Sequence, residues 1–348
     1  MSDHRTYLRL SAHSFITHAL IPSFYLPMKS NHSFLQLATI SLSLAAGPSL
    51  SLGCSVCGCS LSSDWAAQGY SSTPGLETNV RFEYYNQSEL RSGTHNVNRA
   101  GLDLPNDDEI QQSTVNRNTV LGLDYGLNHE WSISSEIPYY DRFHSTIAAG
   151  DTEISTSHAN GLGDLRVLGR WQNFSPRESY GLQFGLKLPT GRFDQNFSTG
   201  LEAGTPLDRG LQLGTGTTDL LLGASYFVRI GNTFGYFAQA ILDQPLDERD
   251  GFRPSSSVNL NGGLRLLTTS GLTPQLQLNG RWDGRESGLN ADRDNSGDTM
   301  LYLSPGVTTE LNDHLHIFVF FQVPLYQRVN GLQLEPRWLL SLGVQCRL

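Results

Sequence analysis

The stretch Tyr180-Gly-Leu-Gln-Phe-Gly-Leu-Lys-Leu188 places a large apolar residue at every second position and a small or polar residue between. Successive side chains of a β-strand point to opposite faces, so this strand has one apolar face and one polar face. The stretch Asp219-Leu-Leu-Leu-Gly-Ala-Ser-Tyr-Phe-Val-Arg229 repeats the pattern. About a dozen segments do so without a helical period, which is typical of a membrane β-barrel with lipid outside and a polar interior.

The sequence therefore predicts an all-β fold, a transmembrane antiparallel β-barrel of about twelve strands. The links between these strands alternate between short turns and long polar loops. Long loops on one rim and tight turns on the other indicate an outer-membrane barrel with both termini in the periplasm. The six long loops are predicted around residues 87–112, 141–161, 191–217, 243–256, 283–298 and 326–334.

The last strand keeps the alternation to the end of the chain. Leu340, Leu342, Val344, Cys346 and Leu348 occupy every second position. This pattern resembles the C-terminal signal recognised by the outer-membrane assembly machinery, which is therefore an expected partner along with the lipid itself. The same parity directs Cys346 toward lipid, as a small apolar residue.

Three short motifs follow one another in the middle of the chain: Gly161-Leu-Gly-Asp-Leu165, Lys187-Leu-Pro-Thr-Gly191, and Gln212-Leu-Gly-Thr-Gly216 with Asp219. In this order they resemble the family of outer-membrane transporters assigned to the meta-pathway of phenol degradation, over roughly residues 115–348. The resemblance implies an outer-membrane barrel. Its motif residues here are Lys187, Pro189, Gly191, Gly214, Gly216 and Asp219. On the residues alone, 189–191 is a strand end at a turn, because proline cannot donate to the ladder and glycine tolerates positive φ.

Composition limits the alternatives. The 348 residues are 38% hydrophobic and 16% charged with 35 glycines, which fits one barrel or two soluble domains equally well. The net charge of −9 argues against nonspecific nucleic-acid binding, which requires a basic surface. Beyond residue 53, no run of about 18 apolar residues predicts a transmembrane helix.

The first 53 residues are predicted to be removed. Met28-Lys-Ser-Asn-His gives a short basic start, and residues 34–46 are apolar, as in a secretory signal. We expect Met28 to be the true start, with residues 1–27 a translated upstream segment. Residues 54–75 would form a periplasmic segment and residues 76–348 the barrel, in the outer membrane of a Gram-negative bacterium.

Three cysteines, Cys54, Cys57 and Cys59, lie directly after the predicted cleavage region. A thiolate cluster of this density suits a soft metal such as Cu(I) or Zn(II), although no cofactor is certain. In an oxidising compartment the same residues can form a disulfide, and Cys54 can be a lipidated N-terminus. Three ligands do not complete a tetrahedral structural site.

The inward face of the predicted strands carries charged residues, which are too costly on the lipid face. They either line an aqueous path for a small solute or pair across the interior and fill it. No spacing marks a nucleophile beside a base, and His316 is a lone inward histidine, so the protein is not expected to be an enzyme. The predicted function is a channel or transporter for small solutes, a class that includes aromatic and otherwise hydrophobic ones. The alternative is a docking barrel whose N-terminal cysteines bind a metal or a periplasmic redox partner. The predicted pore-lining residues are Arg81, Glu83, Asp124, Glu136, Arg166, Arg170, Lys187, Asp219, Arg265 and Arg281.

Overall fold

The computed structural model describes Leu61, Gln68, Ser175 and residues 74–173, 177–268, 271–312 and 314–348, all within the compact unit Pro48–Leu348. This part of the chain contains thirteen β-strands and two short 3-10 helices. Within these residues, no helix is long and apolar enough to cross a membrane.

The strands follow the alternating segments of the sequence, because side chains that alternate between two environments favour an extended backbone. Their bounds are β1 Gly75–Gly93, β2 His95–Asn96, β3 Ile110–Gly126, β4 Trp131–Ile147, β5 Ser155–Leu162, β6 Leu165–Asn173, β7 Glu178–Leu188, β8 Asp219–Ile230, β9 Phe234–Pro245, β10 Ser257–Leu266, β11 Leu272–Asp283, β12 Asp298–Asn312 and β13 Leu315–Arg347. The 3-10 helices span Arg99–Gly101 (η1) and Arg209–Leu211 (η2).

The strands form one closed antiparallel barrel. Eleven of them follow one another around the wall, and β13 pairs with β1 to close it. The two remaining strands lie outside this ring. The strand β2 pairs with the end of β1, and β5 pairs with the second half of β4. The predicted all-β antiparallel barrel is confirmed.

The strand β13 crosses the wall twice. It pairs with β12 up to Val329 and with β1 from Val329 onward. Gly331 has φ of 59°, and Gln327 Nε2 donates to the carbonyl of Pro336 at 3.0 Å. In a straight strand, residues nine positions apart would be separated by about 30 Å, so the chain turns back at residues 330–331. Because β13 crosses the wall twice, the eleven ring strands make twelve passes across it, which is the predicted number.

Several predicted loops are strand instead. Residues 87–93 continue β1, residues 141–147 continue β4, and residues 155–161 belong to β5. The predicted loop 326–334 is the tight turn inside β13. The wall therefore extends further than the apolar alternation indicates. The other long loops are present, at residues 189–218, 246–256 and 284–297.

The two faces of the wall are opposite in polarity to those of a soluble protein. Large apolar side chains are exposed on the outer face, and polar side chains are buried on the inner face. A lipid-facing exterior explains both observations. Exposed outer residues include Val80, Leu121, Ile133, Leu182, Leu222, Leu260, Leu278 and Leu342, and buried inner residues include Gln183, Gln239, Asn261, Asn279, Ser304 and Gln345.

The apolar core is small and lies inside the barrel. One cluster lies against the wall between β1, β12 and β13, and another packs the internal part of the loop 189–218 against β4 and β5. The interior is therefore filled partly by a loop, and this loop determines the shape of the space that remains.

Candidate solute path

A cavity of about 770 Å³ lies inside the barrel, lined by wall residues and by residues 209, 210 and 212–215 of the long loop. Of the ten predicted pore-lining residues, Arg265 alone does not line it. Arg265 also faces the interior, where its guanidinium donates to the carbonyl of Gln68. The nine that line the cavity are Arg81, Glu83, Asp124, Glu136, Arg166, Arg170, Lys187, Asp219 and Arg281. Their role in conduction remains a prediction.

Several of these charges pair along the wall. Arg81 Nε and Glu83 Oε1 lie 2.6 Å apart on one strand, and Arg281 pairs with Asp283 in the same way. Two residues apart on a strand, such side chains share the inner face. These pairs leave the adjacent cavity open.

One pair reaches across the interior. Arg166 on β6 lies 3.4 Å from Asp243 on β9, three strands away around the wall. The Arg166–Asp243 pair therefore reaches over the intervening strands β7 and β8 and narrows the cavity. The charged side chains of the inner face thus both line the cavity and fill part of it.

Residues 189–218 connect β7 to β8 and turn into the barrel. Leu207, Leu211 and Leu213 are buried against Ala159 of β5. Arg142 of β4 bridges wall and loop: its Nη1 donates to the carbonyls of Gly210 (3.1 Å) and Gln212 (3.3 Å), and its Nε to Asn116 of β3. We call residues 189–218 the internal loop.

The three sequence motifs meet where the internal loop enters and leaves the wall. Lys187 and Asp219 form a buried ion pair between the last residues of β7 and the first of β8. Pro189 follows the end of β7, and Gly216 has φ of 75°, as the turn toward β8 requires. The interpretation of residues 189–191 as a strand end is consistent with this position.

Asp164 is the central residue of this meeting point, although no role was predicted for it from the sequence. It occupies the break between β5 and β6 and is 7% exposed. Its Oδ1 accepts from the Gly191 N–H at 3.0 Å, and its Oδ2 accepts from the Thr215 N–H at 2.8 Å and the Thr215 hydroxyl at 2.9 Å. Its appearance in the Gly161-Leu-Gly-Asp motif was the available signal.

The internal loop also carries Asp208, a buried carboxylate near other acidic side chains. Asp208 is 4% exposed, and its Oδ2 has no hydrogen-bond partner in the part of the chain that the structure describes. Burial, with the nearby charges of Glu286, Glu109 and Asp292, raises its pKa well above the usual range. The imidazole of His144 faces Glu109 at 3.9 Å, and Arg209 is the neighbouring cation.

At the other end of the barrel, residues from before β1 lie inside the wall. Leu61 packs with Phe318 and Phe320 of β13, and the carbonyl of Gln68 accepts from Arg265. His316 lines the cavity at this end. Residues of the internal loop line the cavity toward one rim, and Leu61 and His316 line it toward the other.

The cysteine cluster and its possible metal lie outside the described residues, since Cys54, Cys57 and Cys59 all precede Leu61. Within the described ranges, no three His, Cys, Asp or Glu side chains are arranged to hold a metal ion. Cys346 is partly exposed on the outer-face parity of β13.

Comparison with solved structures supports the fold. An outer-membrane channel from Pseudomonas putida F1 is similar with a TM-score of 0.59 and 13% identity, covering 81% of this chain and 98% of that one. At this identity the likeness shows the fold alone. The NanC porin (TM-score 0.44, 11% identity, 78% and 100% covered) and the toluene transporter TbuX of Ralstonia pickettii (0.41, 8%, 80% and 90%) are more distant. No family model and no curated protein matches the chain.

Proposed function

We propose that this protein is an outer-membrane channel for small solutes, including aromatic or otherwise hydrophobic ones, in a Gram-negative bacterium. The observation that carries the proposal is the charge-lined cavity enclosed by a closed wall whose outer face is apolar. Such an enclosure places a polar route inside a lipid-facing shell, which is what a passive channel requires. The motif resemblance to the phenol meta-pathway transporters agrees with it, and the proposed activity involves no covalent chemistry.

The rims of the barrel support an orientation. Residues 189–218, 246–256 and 284–297 form long loops on one rim, whereas the connections at 127–130, 231–233 and 267–271 on the other are short. Long loops face the exterior in outer-membrane barrels. The start of β1 pairs with the end of β13 on the short-turn rim. Both termini are therefore proposed to be periplasmic, with the C-terminal strand available to the assembly machinery.

The lining suits solutes with both polar and apolar parts. Charges of both signs lie along the cavity, so the lining repels neither all small cations nor all small anions. Tyr85 and Tyr140 of the wall and Phe252 of the loop 246–256 add aromatic surface to the cavity lining. Aromatic rings offer stacking contacts to an aromatic solute. Passage would be governed by width and by the charges at the narrow places.

The test is conduction by purified protein in planar bilayers, with vesicle swelling for uncharged sugars and small phenols. Arg166→Ala removes the pair across the cavity and should raise conductance and shift ion selectivity toward cations. Arg192→Ala is the matched control, because Arg192 pairs with Asp194 at an exposed place in the internal loop. Absence of current and of swelling for every solute would refute the channel.

A further inference from the structure

We propose that Asp164 is the positioning residue that holds the internal loop across the cavity and thereby sets the largest solute that passes. This inference rests on the proposed channel function and deepens it. Asp164 borders the cavity, and its three side-chain hydrogen bonds all go to the loop. It acts by fixing the position of loop residues that line the cavity.

The contacts of Asp164 join both ends of the loop. Gly191 is near the beginning of residues 189–218 and Thr215 near their end, so one carboxylate fastens the chain where it enters and where it leaves. Hydrogen bonds to an ionised acceptor are stronger than neutral ones. Changing this one carboxylate therefore weakens the attachment at both ends of the loop at once.

A second residue completes the attachment. Thr190 Oγ1 accepts from the N–H of Leu165 at 2.9 Å and donates to the carbonyl of Gly163 at 3.0 Å. These two backbone groups flank Asp164 at the break between β5 and β6, where ladder pairing is interrupted. The break therefore supplies the unpaired wall groups to which the loop is tied.

Two glycines allow the close approach. A Cβ built on Gly191 would lie 2.7 Å from the Cα of Gly214, and a Cβ on Gly214 would lie 2.5 Å from the Gly191 carbonyl oxygen. No side chain fits at either position without moving the backbone. The glycines of the sequence motifs thus serve contact between the two ends of the loop.

The fastened loop occupies the path. Arg209, Gly210, Gln212, Leu213, Gly214 and Thr215 all line the cavity. Residues 214 and 215 are bonded to or packed at the Asp164 site itself. A shift of the attachment would therefore move cavity-lining residues directly.

The first variant is Asp164→Asn, which keeps the side-chain volume but replaces one acceptor oxygen by an amide that donates. Facing the N–H groups of Gly191 and Thr215, it loses at least one bond. We expect hydrogen exchange of residues 191–217 to accelerate about tenfold or more. Conductance should rise about twofold and larger solutes should enter in swelling assays. Asp194→Asn makes the same chemical change at an exposed position of the same loop and should alter neither.

An engineered disulfide that holds the loop against the wall provides the reverse experiment. Thr156 of β5 and Thr199 of the loop form an antiparallel bridge, with both N–H···O bonds at 3.2 Å. Such pairs have Cα atoms about 5.5 Å apart, within disulfide range. In Asp164→Asn/Thr156→Cys/Thr199→Cys, oxidation should return conductance toward the wild-type value and reduction should restore the increase. Oxidised and reduced wild type, with its own four cysteines, controls for the reagents.

The outcomes separate the two ideas. Unchanged exchange of the loop in Asp164→Asn would overturn the positioning role whether or not the protein conducts. Faster exchange with an unchanged solute limit in a conducting protein would also overturn it. Absence of conduction in wild type and in all variants would instead refute the channel, while exchange would still decide what Asp164 holds.

Discussion

Replacing Val80 with arginine places a charge on the proposed lipid face, whereas replacing its neighbour Asn79 places the same charge in the cavity. Val80 is 47% exposed and pairs with Leu121 and Val344, both exposed on the outer face. Asn79 lines the cavity and has Gly122 beside it, which leaves room for a longer side chain. The two positions share one strand and one depth, so they differ only in the face they occupy.

The magnitude follows from the depth of Val80. On β3 its partner Leu121 lies midway between Tyr125, near the short-turn rim, and Arg117, whose side chain pairs with Asp141 toward the other rim. An arginine near the bilayer midplane of a barrel costs about 2–4 kcal/mol, whereas interior positions are far more tolerant. At about 1.4 kcal/mol for each tenfold change, the ratio of folded to unfolded protein should fall about 30- to 700-fold for Val80→Arg.

The assay is reversible urea unfolding in lipid vesicles, followed by the shift in gel mobility between heated and unheated samples. Asn79→Arg should lower the free energy of unfolding by much less than Val80→Arg. Equal losses in the two variants would refute the assignment of the two faces to lipid and interior, and a larger loss for Asn79→Arg would show that the faces are reversed. A water-soluble, folded monomer of either protein would refute the membrane barrel altogether.

Three further predictions concern buried and clustered groups. Folding raises the pKa of Asp208, so the stability contributed by its neutral form is complete at acidic pH and is lost as pH rises through the raised pKa. The protection of the internal loop against hydrogen exchange, corrected for the intrinsic rate at each pH, should fall over that range in wild type and not in Asp208→Asn. Lys187→Met should destabilise the barrel by about 3 kcal/mol by leaving Asp219 buried without its cation, and Lys187→Met/Asp219→Leu should recover part of the loss in the same urea assay. Mature wild-type protein should hold Cu or Zn that Cys57→Ser/Cys59→Ser lacks; equal metal in both, with a disulfide or an acylated N-terminus by mass spectrometry, would return the cysteines to a structural or anchoring role.

The alternation of the sequence predicted the wall within the lipid but underestimated its height. In Tyr180–Leu188 the outer residues are apolar and the inner ones small or polar, so the contrast reveals the strand. Where the strands extend beyond the lipid, both faces of the wall contact water, so the alternation between apolar and polar residues disappears. In β5, Ser155-Thr-Ser-His158 is strand by pairing with β4, yet polar residues occupy both of its faces. Backbone hydrogen bonds to the neighbouring strand hold these segments in place, and this pairing cannot be inferred from the residue types of the segment.

Parity also predicted which charges face inward, because it depends only on neighbours along one strand. It could not predict their partners. Arg166 meets Asp243, 77 residues away, and Asp164 binds groups 27 and 51 residues away. These meetings depend on the closure of the barrel and on the direction that the internal loop takes. Neither the closure of the barrel nor the direction of the loop produces a periodic pattern in the sequence from which these partners could be predicted.

The direction of the loop follows from the size of the barrel. About eight strands enclose an interior that wall side chains can just fill, and more strands leave space that they cannot. With twelve passes, the inner residues of this wall would leave an open core, and several of them are glycines, serines and asparagines. Leu207, Leu211 and Leu213 of the internal loop supply apolar surface that would otherwise be exposed to water above the membrane. Burying it inside the wall stabilises the loop and narrows the path with the same contacts. A change in the loop's attachment therefore alters passage without any change in the wall.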